Sequence, residues 1–75
     1  MTAHITVTAY GKRTVVECPG STSIRYVAKR AADELGFDAD AYEFGLLRAH
    51  GTYVPMDDIA ADHDGKTYYL LVVRT

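Results

Sequence analysis

The run Tyr68-Tyr69-Leu70-Leu71-Val72-Val73, followed by Arg74 and Thr75, constrains the fold more than any other segment. A strand with one wet face alternates apolar and polar residues. This one is apolar at every position from Tyr68 to Val73, so both its faces need contacts. It belongs inside a sheet and not at an edge. One side is expected to pack on a helix. A chain of 75 residues has material for about one helix on one small sheet, because a domain of this size buries only ~60% of its unfolded surface. The other side of the strand is left without a covering layer, which makes it a candidate binding surface.

The remaining segments read as follows. His4 to Ala9 alternates, with Ile5, Val7 and Ala9 on one face and His4, Thr6 and Thr8 on the other, which predicts a strand. Gly11 marks a tight turn, and Thr14 to Cys18 forms a second strand paired as a hairpin and ended by Pro19. Ser23 is the expected helix N-cap. Ile24, Val27, Ala28, Ala31 and Leu35 form the apolar stripe of a helix that Gly36 closes, with Phe37 folding back on it. Arg25 lies early in that helix and Asp33-Glu34 late, against the helix dipole. Tyr42 to Arg48 is a third strand and Tyr53-Val54 a short fourth, stopped by Pro55. The acidic stretch Met56 to Asp64 reads as a solvated loop anchored by Ile59. Residues 1–75 are expected to form a single α+β domain in the order β-β-α-β-β-β, a mixed sheet of four or five strands on one helix.

Composition excludes several functions. A net charge of −2 and a scatter of Lys and Arg give no basic footprint for nucleic acid. No apolar run reaches the ~20 residues of a membrane span, and no secretory signal pattern opens the chain, so a cytoplasmic protein is expected. The single cysteine, Cys18, permits no internal disulfide and no Cys-rich metal motif, and its strand phase points it into the core. His4, His50 and His63 fall at no ligand spacing, and Asp57, Asp58, Asp62 and Asp64 lack the alternation, central Gly and distal Glu of a calcium loop. No metal and no cofactor are expected. No nucleophile–base pair and no phosphate-binding loop can be assembled, so no catalytic residue is nominated. Tyr10, Tyr42 and Tyr53 stand near turns, where a ring seals a core edge while its hydroxyl reaches water.

The element order and several local motifs resemble the β-grasp fold of ubiquitin-like proteins. Glu17-Cys18-Pro19 is similar to the end of that family's second strand, and Ser23-Ile24 with Val27 and Ala31 to its helix start and inward face. Gly36 and the loop holding Asp40 resemble its helix exit, and Leu70-Leu71-Val72-Val73-Arg74 its final strand. Tyr42-Glu43, Leu47-Arg48 with Gly51, and Asp64-Gly65-Lys66-Thr67 look closer to small bacterial ubiquitin-like proteins, including multi-ubiquitin-type domains. The Ala/Asp/Arg-rich composition suits a high-GC bacterium or its phage.

The resemblance implies that the final strand pairs with the first and third and that the helix crosses the concave sheet face. On that topology Ile5, Val7, Val16, Cys18, Phe44, Leu46, Tyr69, Leu71 and Val73 are expected to face the helix. Leu47, Tyr68, Leu70 and Val72 are expected on the outer face, beside Thr6 and Thr8. That outer face is the recognition surface of ubiquitin. Gly45 stands where ubiquitin's patch has its central apolar residue, so either Leu47 substitutes or the patch is shifted toward the last strand. Conjugated modifiers and sulfur carriers end in a flexible Gly-Gly. Here the chain stops at Arg74-Thr75, so neither activity is expected.

The function implied is a non-enzymatic adaptor that binds another protein through Leu47, Arg48, Tyr68, Leu70, Val72 and Arg74. A homodimer through the same face is a further use of it. The alternatives are a modifier or carrier whose Gly-Gly tail is missing from this chain, a small regulatory subunit of a multicomponent bacterial enzyme, and a phage-encoded mimic.

Overall fold

The computed structural model describes residues 1–74, and of Arg74 the backbone only. The elements are β1 (Thr2–Ala9), β2 (Lys12–Pro19), α1 (Ile24–Glu34), β3 (Glu43–Leu47), a 3-10 helix (Ala60–His63) and β4 (Thr67–Arg74). One four-stranded sheet has the order β2-β1-β4-β3, with β1–β2 and β3–β4 antiparallel and β1–β4 parallel. The last strand is therefore central between the first and third, as its apolar composition requires. This is the β-grasp arrangement. The expected short fourth strand is reduced to a single bridge, Leu47↔Tyr53, because Pro55 ends it after two residues.

The hairpin turn is Tyr10-Gly11, both residues at positive φ (50° and 78°), which is the twist that joins right-handed strands through a two-residue loop. Tyrosine meets a steric penalty there that glycine does not. Its ring leans on Phe37, with centroids 5.9 Å apart, and Phe37 in turn lies 6.0 Å from Phe44.

Helix α1 begins where expected. Ser23 Oγ accepts from the Tyr26 N–H at 3.3 Å. Two further orphan donors of the first turn are satisfied from outside the helix: Ile24 N donates to Asp58 O at 2.8 Å and Arg25 N to Met56 O at 3.1 Å. The segment 56–63 is thus a strap bonded to the helix start, and it differs from the solvated loop expected. Ile59 is exposed, and the strap is anchored instead by the buried Ala60 and His63. Two ion pairs reconcile the reversed charge order of the helix: Arg25 Nη1 reaches Asp57 Oδ1 of the strap at 3.3 Å, and within the helix Arg30 Nε binds Glu34 at 2.9 Å. The bond to Glu34 raises the Arg30 pKa further above its ordinary value. Gly36 closes the helix at φ 91°.

The core lies between α1 and the concave side of the sheet. Ile5, Val7, Val16, Ile24, Val27, Ala31 and Leu46 are fully buried in it, and Cys18 points inward as its strand phase requires. His63, 7% exposed, is the buried polar residue, and its bonds are all met. Its ring contacts the Tyr68 hydroxyl through Nδ1 at 2.6 Å and Asp58 Oδ2 through Nε2 at 2.9 Å. The tautomer that satisfies all three groups has Nε2–H donating to Asp58 and Nδ1 accepting from Tyr68.

Candidate docking surface on the outer sheet face

The phase of β4 is the reverse of the one expected. Val7 pairs with Tyr68 and Leu46 with Leu70, and Val7 and Leu46 are core residues. Residues that pair side by side point the same way. Tyr68 (6% exposed) and Leu70 therefore face the helix, while Tyr69 (51% exposed) and Leu71 face outward. Tyr68, Leu70 and Val72 are thereby removed from the outer face, and Tyr69, Leu71 and Val73 from the core. The reason is that a strand apolar at every position carries no phase of its own. Its register to β1 sets it.

Val72 pairs with Phe44 on the inner side, where the strand runs past the cover of the core and leaves it exposed. It lines a shallow cleft with Tyr10, Phe37, Phe44 and Leu70. Arg48 is not free to orient a partner. Its Nη1 donates to Tyr53 O at 2.7 Å and to Thr52 Oγ1 at 3.3 Å, which closes the turn after β3. The Arg74 side chain lies outside the described residues. Leu47 alone of the nominated apolar residues sits on the outer face as expected, half-buried and paired with Tyr69.

The outer face is built in rows. Arg13, Thr8, Tyr69 and Leu47 pair in sequence across all four strands. Beside this row, Gly45 pairs with Leu71 on one side, and Val15, Thr6 and Thr67 align on the other. At the far end the register shifts, with Glu43 opposite Arg74 but Phe44 opposite Val72. Val73 is the extra residue of this bulge, and bulges re-aim side chains. A Cβ on Gly45 would meet Val73 Cγ2 at 2.8 Å, so the valine occupies the space that glycine leaves open. On the outer face Leu47 thus stands in the row beside Gly45, and Val73 covers Gly45 from the last strand. Tyr53, Pro55 and Met56 extend the surface as the wall of a groove floored by Gly45 and Val54.

Charge divides between the faces. On the helix side, Arg25, Lys29 and Arg30 each pair with a carboxylate, the last two at 3.4 and 2.9 Å. Among the described residues, Lys12, Arg13 and Lys66, at the ends of the outer face, have no carboxylate within ion-pair distance. No group of His, Cys, Asp and Glu among the described residues could hold a metal ion, and no helix is long and apolar enough to cross a membrane.

The architecture matches solved structures closely over the whole chain. The N-terminal ubiquitin-like domain of the 4931431F19Rik protein superposes with a TM-score of 0.69 at 18% identity, covering 99% of this chain and 77% of that one. The fold is that of a ubiquitin-like domain. The UBL domain of Plasmodium falciparum Dsk2 gives a TM-score of 0.68 at 14% identity, over 96% of this chain and 99% of that one. The EccD5 ubiquitin-like domain from Mycobacterium xenopi gives 0.65 at 17% identity, over 100% and 98%. No protein-family model matches the sequence, and no curated protein matches it. The ubiquitin-like fold thus persists here with little sequence in common.

The residues missed by sequence reasoning are Tyr69, Leu71 and Val73. One signal pointed to them. Thr67 is the polar first residue of β4 and lies beside Thr6 on the outer side, so counting by twos from it gives the outward set.

Proposed function

We propose that this chain is a non-enzymatic protein-interaction module whose docking surface is the outer sheet face, centred on Leu47, Tyr69 and Leu71 with Val73 and Tyr53 at its border. One observation carries this reading. The central strand presents Tyr69, Leu71 and Val73 outward, and among the described residues Tyr69 and Val73 stay 51% and 44% exposed there. A contiguous apolar surface left open on a small domain marks an interaction site. Aromatic residues such as Tyr69 supply contact area at low entropic cost and are enriched in interface centres. Arg13 and Lys66 at its margins, without an ion-pair carboxylate among the described residues, favour a partner segment with acidic residues flanking its apolar contacts. The ubiquitin-like fold supports the reading, since domains of this kind serve as interaction modules.

The test is affinity capture with wild type, Leu71→Arg and Tyr69→Ala, each checked by circular dichroism. A partner retained by wild type and lost by both folded variants supports the reading. Equal capture by all three overturns it.

A further inference from the structure

The sheet has unequal edges. The β3 edge is covered by the chain's own return: Arg48 N donates to Thr52 O at 2.8 Å, and Val54 N to Leu46 O at 3.0 Å. Among the described residues the β2 edge has no such cover from Lys12 to Cys18, and only at its end is a group taken, Pro19 O accepting from Thr22 N at 3.0 Å.

The direction in which its free backbone groups point follows from the ladder. In an antiparallel pair, alternate residues exchange hydrogen bonds. Gly20 N donates to Met1 O at 2.8 Å just past the end of β2, and Ala9↔Lys12 closes the two-residue turn. Both place the even-numbered residues of β2 in bonding contact with β1. Arg13, Val15, Glu17 and Pro19 then direct their backbone groups outward. Pro19 fits this set, because its missing N–H removes no bond to β1. The same residues carry side chains on the outer face, as Thr8↔Arg13, Thr6↔Val15 and His4↔Glu17 show. The free edge therefore reads cation, valine, anion at consecutive outward positions, with Val15 53% exposed.

That pattern is complementary to itself when reversed. We propose that two copies of this chain pair antiparallel along β2, with Val15 on the two-fold axis and Arg13 of each copy opposite Glu17 of the other. In this register Arg13, Val15 and Glu17 all meet residues whose N–H and C=O groups also point outward. The edge gains ladder hydrogen bonds on both sides of the axis together with two cross-strand ion pairs. A shift of two residues places Val15 opposite Arg13 or opposite Glu17 and loses the ion pairs. A shift of one residue turns the bonding groups away from each other. Among the described residues Arg13 has no carboxylate partner, whereas Glu17 shares one carboxylate oxygen with His4 Nε2 at 3.1 Å and keeps the other.

The axis runs perpendicular to the sheet, so both outer faces point to the same side of one continuous sheet. Two docking surfaces side by side raise the avidity for a repeated partner without new contacts. The pairing itself does not rest on the docking reading. A strand-edge contact lies at the small end of interface sizes, so a weak, concentration-dependent dimer is expected.

The experiment is sedimentation equilibrium over a concentration series on the full chain, for wild type, R13E, E17R and the double exchange R13E/E17R, each confirmed folded by thermal melts. A reversible wild-type dimer is expected. Each single exchange sets like charges opposite one another twice and should weaken it by about tenfold or more. The double exchange restores opposite charges and should return the dissociation constant to within about threefold of wild type. A wild type that stays monomeric up to about 1 mM, a level at which a contact worth only ~4 kcal/mol is half-formed, overturns the proposal. So do single exchanges that dimerise as wild type does.

Discussion

Leu46 and Leu47 are neighbours in β3, and Tyr68 and Tyr69 are neighbours in β4, yet each pair is split by the sheet. Leu46 and Tyr68 are packed beneath α1, with Tyr68 bonded to His63. Leu47 and Tyr69 pair with each other on the opposite side, open to solvent in part. Identical side chains one residue apart thus do different work. Those beneath the helix hold the fold together, and those outside it cost solubility unless something binds them. The difference lies in the pleat, not in the residue type.

The sharpest way to break this comparison is to truncate each leucine in turn. Leu46→Ala should destabilise by about 2–5 kcal/mol, since it removes a fully buried side chain and leaves a cavity. Leu47→Ala should cost less than ~1 kcal/mol. Urea unfolding of the two variants checks both, and equal losses would mean that the outer face is packed. The tyrosines give the next largest contrast. Tyr68→Phe leaves His63 Nδ1 without a donor in a buried site and should cost about 1–3 kcal/mol, whereas Tyr69→Phe should leave the melting temperature unchanged.

Tyr68 also ties the stability of the fold to alkaline pH. Burial raises the Tyr68 phenol above its ordinary value of 10.0; the charge of Arg48 opposes this and that of Asp58 adds to it. The folded state then holds the proton more tightly than the unfolded state. Its contribution to stability is fully present below the unfolded value and is lost as pH rises from about 10 through the folded value. Tyr68→Phe should flatten the fall in melting temperature between pH 9 and 11, roughly the window in which a free tyrosine ionises.

Smaller effects test the margins of the outer face and the turn. Gly45→Ala pushes against the tip of Val73, which can rotate, so a cost below ~1 kcal/mol is expected, together with chemical-shift changes confined to Val73 and its neighbours. Tyr10→Asn places at φ 50° a residue that tolerates the left-handed region better but gives up the contact with Phe37, and a net gain below ~1 kcal/mol is expected on thermal unfolding. A clear loss instead would show that the aromatic contact outweighs the backbone strain.

The sequence by itself determined the order of the long elements, though not the loss of the short fourth strand to a bridge, and with it the hairpin turn, the Ser23 cap, the Gly36 exit and the inward faces of β1, β2 and α1. Each of these is written locally, in alternation, in 3.6-residue spacing, or in a residue that its position requires. The same reading failed where the local code is silent. From Tyr68 to Val73 every position of β4 is apolar, so within that run its register against Val7 and Leu46 decides that Tyr68 is core and Tyr69 is surface. The stretch from Met56 to His63 is polar enough to pass for a loop. Its backbone carbonyls cap α1 through bonds between segments more than 30 positions apart in the chain, and its histidine is buried although its own partners, Asp58 and Tyr68, lie only five positions away. What tertiary structure alone decided was the phase of a strand with no polar face and the destination of polar groups whose partners are distant in sequence. Neither is encoded in nearest neighbours, and both follow from pairing and burial once the sheet has closed over the helix.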